Sequence, residues 1–225
     1  NNLDYSNKDY FKKNIETNRK IVNDLIVSLA NETRPKSFMQ LGSWYLGEIQ
    51  ALKIFGFKGR LIGSDFSEKF LNILKTKISN SFLKDIQLRR VNIESCSEKN
   101  FMGVEMLSAV QVMSNIQPEG IKKFFNVLKK TKVKTMVISD IYSAESIRTS
   151  KSILLKNKLN WCHPYHYHAK VNGFKFYMVP DFTFDTYTES RAIFVVYRHN
   201  SLKKHKKAFL LAYDRILERS SRIKW

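Results

Sequence analysis

The feature that most constrains the fold of this chain is a regular alternation of short apolar runs and helical stretches between residues 37 and 138. Short apolar runs predict buried strands, and apolar residues at a spacing near 3.6 predict amphipathic helices. The predicted strands are Ser37–Leu41, Arg60–Gly63, Ile86–Val91, Glu105–Val110 and Thr135–Ile138. The predicted helices between them are Glu48–Phe55, Glu68–Ile78 and Glu119–Lys129. Such alternation favours a parallel sheet with helices on both faces.

The last third of the chain has a different pattern. Lys170–Val179 and Arg191–Tyr197 alternate along their length and are rich in aromatic and β-branched residues, which is typical of strands. The stretch Pro180–Ser190 between them is short enough for a loop. We therefore predict an antiparallel pair that closes the sheet.

Two further helices are predicted at the ends of the chain. Apolar residues at helical spacing predict one helix over residues 8–31 and another in the tail after Arg198. The fold class is therefore α/β, with one three-layer, Rossmann-like domain over residues 1–225. Residues 1–35 form an N-terminal helical extension, residues 36–199 the core, and residues 200–225 a basic C-terminal helix.

The composition supports one compact domain. Hydrophobic residues make up 43% of the 225, enough to bury a full core, which excludes disordered and fibrous classes. No window has the roughly 18 to 20 uninterrupted apolar residues of a membrane span, and the start at Asn1 lacks the regions of a signal peptide. Two cysteines are too few for a disulfide framework. We expect a cytoplasmic protein without a membrane partner, and further residues before Asn1 because the sequence lacks an initiator Met.

The chain is strongly basic. Its 39 Lys and Arg residues against 20 Asp and Glu give a net charge of +19, which brings nucleic acids and anionic surfaces into consideration. Residues 198–225 contain nine basic and two acidic side chains, so this tail contributes +7 and is the candidate site for RNA. Lysine dominates the excess, and a solvated surface without a specific partner explains it equally well.

The ends of the first two predicted strands carry the residues most suited to a ligand. The first strand runs into Gly42-Ser43-Trp44-Tyr45-Leu46-Gly47, where glycine allows a tight turn before a helix. The second strand ends at Asp65. Ligands of open α/β sheets bind beyond the carboxyl ends of the strands, and a carboxylate there suits the two hydroxyls of a ribose. Helix capping by Asp65 and ordinary turn glycines are the alternatives.

An ordered set of motifs from Ser37 to about His199 resembles the class I S-adenosylmethionine-dependent methyltransferases. The first loop resembles that family's glycine motif, and Asp65 resembles its ribose-binding acid. Further motifs of the family resemble the segments Ser108–Ile116, Val137–Asp140 and Asn172–Lys175.

This resemblance implies S-adenosylmethionine as the cofactor. Asn92 and Ile93 stand where the family contacts adenine. The residues that the resemblance implies for the cofactor site are Gly42, Ser43, Trp44, Gly47, Asp65, Phe66, Asn92, Ile93 and Gln111.

The first loop also departs from the family's pattern. Gln40 stands at the usual acidic position, and Trp44 and Leu46 stand at the later glycine positions. Gly42, Trp44 and Gly47 partly match a variant form, G-x-W-x-G-G. We expect a bulky side chain in this loop either to shield the cofactor or to fill its site.

A second candidate segment, Trp161–His168, holds three of the five histidines together with Cys162. A metal site is not favoured, because Pro164 argues against the helix that would align the ligands. The resemblance implies that the segment after the fifth strand lines the acceptor pocket. We therefore expect His163 or His166 to act as a general base. Ordinary polar residues at a strand edge are an equally good interpretation.

Asp140 is the third candidate catalytic residue. It ends the fifth predicted strand, where a carboxylate is expected to orient the acceptor. Binding of a divalent metal ion is the alternative, which is not favoured because no second carboxylate stands beside it in the sequence. Tyr165 and Tyr167 are expected to form walls of the acceptor pocket.

The resulting hypothesis is methyl transfer from S-adenosylmethionine to an oxygen or nitrogen of a small-molecule acceptor, such as a sugar or a metabolite. The lack of a separate recognition domain favours a small acceptor. Two alternatives stay open: a catalytically inactive module and an RNA methyltransferase, each using the basic tail to bind RNA or an assembly partner.

Overall fold

The computed structural model describes residues 20–156, 159–181, 191–198, 203–208 and 210–211. The first part of the predicted N-terminal helix, most of the predicted loop 180–190 and the tail after residue 211 lie outside the described residues.

The described chain alternates strands and helices as predicted. The strands are β1 Ser37–Leu41, β2 Arg60–Asp65, β3 Ile86–Arg90, β4 Met106–Val110, β5 Thr135–Ile141, β6 Ile153–Leu154, β7 Trp161–Cys162, β8 Lys175–Asp181 and β9 Arg191–Tyr197. The α-helices are α1 Lys20–Thr33, α2 Gly47–Ile54, α3 Glu68–Lys77, α4 Asn80–Leu83, α5 Pro118–Lys129, α6 Ala144–Thr149 and α7 Tyr165–Val171. Short 3₁₀ turns lie at Trp44–Leu46, Glu98–Phe101 and Met113–Asn115.

Seven strands form one sheet in the order β3-β2-β1-β4-β5-β9-β8. The first five are parallel, and β9 runs antiparallel to both β5 and β8. The predicted fold class, a mostly parallel α/β sheet closed by an antiparallel pair, is confirmed. The parallel strands define a strand-end edge, which begins beyond Leu41, Asp65, Arg90, Val110 and Ile141, and an opposite strand-start edge.

Each face of the sheet carries its own hydrophobic core. Successive side chains of a strand point to opposite faces, so Phe38 belongs to the core under α1, α2 and α3, whereas Met39 belongs to the core under α5 and α7. Strands β1, β4 and β5 are buried along their whole length, as expected for the centre of a doubly covered sheet.

Two predicted boundaries differ from the structure because polar side chains are accommodated inside the sheet. Strand β2 continues to Asp65, and the Ser64 hydroxyl donates to the Gln40 carbonyl at 2.9 Å. Strand β5 continues to Ile141 through the buried Asp140.

The predicted strand Lys170–Val179 is wrong over its first part. Residues 170 and 171 belong to α7, and β8 begins at Lys175, after a turn in which Gly173 has a φ of +78°. The β6–β7 hairpin was not predicted, because strands of two residues have no periodicity to detect.

The C-terminal residues that the structure describes pack at the strand-start edge. Residues 203–208 are helical, and His205 is fully buried there. Its ring stacks on Tyr197 at 4.4 Å between centroids, and its Nε2 lies 2.8 Å from the hydroxyl of Thr135, the first residue of β5. Lys207 forms an ion pair with Glu32 at 3.0 Å. In the described part of the chain, every helix falls short of the length and apolarity that a membrane crossing requires.

Candidate functional site

The turn after β1 forms the first part of the site. Gly42 has a φ of +68°, and the side chain of Val112 occupies the space that a Cβ at residue 42 would need. The next amide, of Ser43, donates to the Ser64 carbonyl at 2.9 Å and ties the turn to the end of β2. Two independent constraints therefore require glycine at residue 42, the left-handed backbone and the close approach of the chain after β4.

Left-handed backbone conformations cluster at this end of the sheet. Tyr45 and Leu46 have φ angles of 64° and 55°, and Gln111, directly after β4, has 58°. Side chains make this region unfavourable, and strained backbone of this kind concentrates at functional sites. Three of the five such non-glycine residues in the described chain thus lie at the ends of β1 and β4.

Leu46 packs into the core. Its side chain is fully buried, with Cδ2 2.5 Å from the position that a Cβ on Gly63 would take. The left-handed residue Leu46 thus contributes its side chain to the packing between the loop and β2, and its effect on the cofactor stays a prediction. Trp44 supplies backbone to the 3₁₀ turn, and its side chain lies outside the described part.

Gln40 connects β1 to the start of α2. Its side chain is buried, and its Oε1 accepts a hydrogen bond from the Ile49 amide at 3.4 Å. A carboxylate at this position would accept the same bond but would also place a charge in the core. The amide of Gln40 therefore keeps the link between strand and helix that the first loop requires.

Asp65 lies at the end of β2, beside the turn at Gly42. Partial burial raises the pKa of Asp65, while hydrogen bonds with the backbone of Ser67, Phe66 and Ser43 oppose that increase. Its Oδ1 accepts from the Ser67 amide at 2.9 Å. The N-cap of α3 is Ser67, whose hydroxyl accepts from the Phe70 amide, so the capping alternative for Asp65 is not what the structure shows.

The other predicted cofactor residues occupy the same edge in different environments. Phe66 is 68% exposed directly after Asp65. Asn92, after β3, is exposed, with its Oδ1 accepting from the Glu94 amide at 3.0 Å, whereas Ile93 is buried in the core. Gly47 begins α2 with a helical φ of −60°. Phe66 and Asn92 are therefore accessible to a ligand, and Ile93 contributes packing.

Asp140 is enclosed in the fold. It is 1% exposed, its Oδ2 accepts from the Ser114 amide at 2.9 Å, and its Oδ1 accepts from the Ile141 amide at 2.8 Å. Burial raises the pKa of Asp140 despite these bonds. The predicted contact with an acceptor or a metal ion does not fit this position. The carboxylate instead fixes the 3₁₀ turn Met113–Asn115 to the end of β5.

His163 is also enclosed. Its Nδ1 lies 2.8 Å from the Ser152 hydroxyl, and its Nε2 lies 3.0 Å from the Ile116 carbonyl. Burial lowers the pKa of His163 to about 4. Both ring nitrogens thus have partners inside the protein, so His163 joins the β6–β7 hairpin to the chain after β4 and is poorly placed to act as a base.

Pro164 precedes a helix, so the expectation that it prevents one is wrong. Helix α7 begins at Tyr165, and proline suits a helix start because its missing N–H would have no partner there. Tyr165 is fully buried, whereas Tyr167 is 43% exposed. His166 is half-buried, and its Nδ1 has no hydrogen-bond partner among the described residues. Burial lowers the pKa of His166, which favours the neutral imidazole.

Metal coordination finds no support in the described ranges. Within them, no group of three or more His, Cys, Asp or Glu side chains is arranged to hold an ion. The histidine-rich segment accounts for this result, because His163 turns toward Ile116 while the ring of His168 stacks on Phe125.

Solved structures with a similar architecture include methyltransferases and a domain with SAH bound. The methyltransferase domain of bacterial CtHen1 is 15% identical, over 80% of this chain and 99% of that chain, with a TM-score of 0.59. The N-terminal domain of EvdMO1 with SAH bound is 12% identical, over 78% and 80%, with a TM-score of 0.60. Magnesium protoporphyrin IX methyltransferase from Synechocystis PCC 6803 with bound SAH is 14% identical, over 80% and 82%, with a TM-score of 0.58.

The chain has the class I methyltransferase fold. No protein-family profile matches the sequence, and no curated protein matches it. The similarity to these methyltransferase structures therefore lies in strand order and backbone geometry, because most residues of this chain differ from theirs.

Three contacts at the candidate site were not predicted from the sequence, although Val112 and Ser114 lie within the segment Ser108–Ile116 that resembles a family motif. Val112 fixes Gly42, Ser114 binds Asp140, and Ser152 binds His163. Each acts through a contact between segments that are distant in sequence, and a single valine or serine in a loop has no pattern that distinguishes it.

Proposed function

We propose that this protein is an S-adenosylmethionine-dependent methyltransferase with a small-molecule acceptor. The observation that supports the proposal is that hydrogen bonds connect the turn Gly42–Ser43 to the end of β2 at Ser64 and Asp65. This connection lies beside the point where the strand order reverses, between β1 and β4. Ligands of doubly wound sheets bind at this switch point.

The residues present fit the cofactor. The Asp65 carboxylate is half-buried at the strand-end edge, where its oxygens suit the two ribose hydroxyls. Phe66 presents an exposed aromatic face beside it, and Asn92 presents an exposed amide. The side chain of Leu46 packs in the core against Gly63.

S-adenosylmethionine supplies a methyl group that its sulfonium already makes electrophilic, so the protein's task is to position the acceptor and remove a proton where one must leave. Asp140 contributes by holding the turn Met113–Asn115, which lies beside the cofactor edge. Among the candidate bases we assign proton removal to His166, because burial lowers its pKa, which favours the neutral imidazole, and because the residue is only half-buried, whereas His163 is enclosed.

A small acceptor is supported by the location of the basic tail. The helical residues 203–208 lie against Thr135, at the start of β5, whereas methyl transfer belongs at the end of that strand. Five residues of strand separate Thr135 from Asp140, or about 17 Å. An RNA held by residues 203–208 would therefore lie at the strand-start edge, away from the cofactor edge. EvdMO1, a structural neighbour, was crystallised in the presence of SAH and D-fucose, which agrees with a sugar as one acceptor class.

Calorimetric titration with S-adenosylmethionine and its demethylated product tests the proposal. We expect the wild type to bind both at micromolar affinity and Asp65→Ala to weaken binding about tenfold or more, since charge-assisted hydrogen bonds are worth about 1.5–3 kcal/mol. Glu68→Ala is the matched control, because Glu68 is an exposed carboxylate three residues away whose ion pair with Arg90 is long, at 3.5 Å.

Failure of the folded wild type to bind either ligand would contradict the proposal. Equal weakening by Asp65→Ala and Glu68→Ala would contradict the role of Asp65, because it would indicate a general effect of negative charge. The variant Asp65→Asn keeps an acceptor for the Ser67 amide, so it separates loss of the carboxylate charge from loss of the local turn.

A further inference from the structure

The strand-start edge carries a row of exposed cations. Lys36 precedes β1, Lys58 and Arg60 lie at the start of β2, and Lys132 and Lys134 precede β5. The strands bring them together: the Arg60 amide donates to the Lys36 carbonyl at 2.9 Å, and the chain before β4 lies between Lys36 and Lys134. The exposed lysines of residues 203–207 extend the row.

Acidic residues offset only part of the row. Asp85, which precedes β3 on the same edge, is 72% exposed and lies 3.7 Å from the Lys53 Nζ. Glu105 is bound on both sides, by the Lys36 amide at 3.0 Å and by the Lys134 Nζ at 3.1 Å, and its side chain is only 17% exposed. Glu32 is paired with Lys207 in the same way. The remaining lysines and Arg60 therefore present an outward positive potential.

Three large apolar side chains are exposed on the same edge. Ile54 is 75% exposed, Phe55 is 56% exposed and Met102 is 72% exposed. Residues 54 and 55 end α2 and lead into Lys58 and Arg60. Met102 lies next to Gly103, whose carbonyl accepts from Arg60 Nη2 at 2.7 Å. The apolar residues thus flank Arg60 and Lys58.

We propose that this basic and apolar edge docks on an anionic phospholipid surface. Apolar side chains that project among cations can enter the boundary between headgroups and acyl chains, while lysines contact anionic headgroups. Binding to a nucleic acid would use the cations but would leave Ile54 and Met102 without a role, because aliphatic side chains gain nothing from phosphates. The strand-end edge faces away from such a surface, so this inference does not depend on the methyltransferase proposal.

Co-sedimentation of the full chain with lipid vesicles tests the inference. The vesicles contain phosphatidylcholine alone or with about 30% phosphatidylglycerol, a charge density that attracts basic segments. Two triple variants probe the two halves of the surface, Lys36→Gln/Lys58→Gln/Lys132→Gln and Ile54→Ser/Phe55→Ser/Met102→Ser. The matched control, Lys69→Gln/Lys122→Gln/Lys123→Gln, removes the same charge from the first turn of α3 and the second turn of α5, away from the strand-start edge.

We expect binding to anionic vesicles only, and about a tenfold or greater loss in each of the two edge variants, with less than about threefold loss in the control. Thermal melting by circular dichroism confirms that each variant is folded. Equal losses in the basic variant and the control would overturn the proposal in favour of diffuse charge. Unchanged binding by the apolar variant, or binding of a labelled single-stranded RNA without binding of vesicles, would overturn it as well.

Discussion

Gly42 combines a left-handed backbone with direct contact from the chain after β4. We expect Gly42→Ala to lower the free energy of unfolding by about 1–3 kcal/mol for the backbone strain alone, and by more because the new Cβ overlaps Val112. Adding Val112→Ala should recover the steric part and leave the strain. Urea denaturation of the two single variants and the double variant separates the two contributions.

Gly47 is the control for that experiment within the same loop. It has a helical φ of −60°, and nothing lies within 4 Å of a Cβ built on it. Gly47→Ala should therefore leave stability unchanged or raise it by up to about 1 kcal/mol. A loss for Gly47→Ala comparable to that for Gly42→Ala would show that the loop tolerates no side chain at all.

His163 predicts a pH dependence of stability. The pKa of His163 is lowered from 6.5 to about 4 by burial, so between these values the unfolded chain binds a proton that the folded protein does not. The contribution of the neutral ring is complete above about pH 6.5 and is lost as the pH falls toward 4, up to about 3 kcal/mol. Urea denaturation at pH 7, 5.5 and 4.5 should show wild-type stability falling across this window.

The variant His163→Gln isolates this residue from the other groups that titrate there, among them His168, whose pKa is also lowered to about 4. The variant should be less stable at pH 7, because it loses bonds to Ser152 and Ile116, and its stability should fall less steeply with acid. If the free energy of unfolding fell equally steeply with acid in the wild type and in His163→Gln, then His163 would not be the source of the pH dependence.

Among the elements, the C-terminal helical residues are an integral part of the fold. His205→Ala removes a buried ring that stacks on Tyr197 and bonds to Thr135. We expect it to lower the free energy of unfolding by about 2–4 kcal/mol, the range for loss of a large buried side chain with a hydrogen bond. Lys206→Ala, one residue along and exposed, should change it by less than about 0.5 kcal/mol. Similar values for both variants, measured by urea denaturation, would mean that this helix does not pack in solution.

The central strands could be predicted because each one is marked by the residues of its own segment. Buried parallel strands require continuous apolar runs, so β1 was predicted at its observed bounds, and the other four parallel strands to within a few residues. Helix α7 was missed because proline was read as a breaker, although proline at the first turn of a helix is favourable.

The part of the candidate site that lies at the ends of the predicted strands could be predicted from the sequence. Gly42 and Asp65 are adjacent because they end neighbouring strands, which follows from the topology. The burial of Asp140 and His163 depends on the turn Met113–Asn115 and on the β6–β7 hairpin packing over them, which no periodicity encodes. Polar residues in such segments look alike in sequence whether they are enclosed or exposed.

At the scale of the whole molecule, charge is sorted between the two edges of the sheet. The helices that follow the strands begin at the strand-end edge, and their first turns carry acids, Glu48, Glu68, Glu119 and Glu145. Acids are favoured at helix starts by the helix dipole. The exposed cations Lys36, Lys58 and Lys132 lie at the other edge, so among the described residues these three charges are separated from the candidate cofactor site.

This separation predicts that the two proposed activities are independent. Asp65→Ala should leave vesicle binding unchanged within about twofold, and the variant Lys36→Gln/Lys58→Gln/Lys132→Gln should leave S-adenosylmethionine affinity unchanged within the same limit. The physical reason is the distance of about 17 Å between the edges, beyond the Debye length of about 8 Å at physiological salt. Calorimetry and co-sedimentation on the same preparations check both arms, and loss of both activities in either variant would contradict the separation.

The left-handed residues Tyr45, Leu46 and Gln111 have a consequence for how proteins of this kind are recognised. Glycine is the residue that most readily adopts left-handed torsion angles, and here three other residues adopt them. A sequence search that requires three glycines does not find this loop, whereas a structure search that uses backbone dihedral angles would find it. Tyr45 and Leu46 therefore keep a left-handed backbone in this loop without glycine, whereas residue 42 still requires glycine.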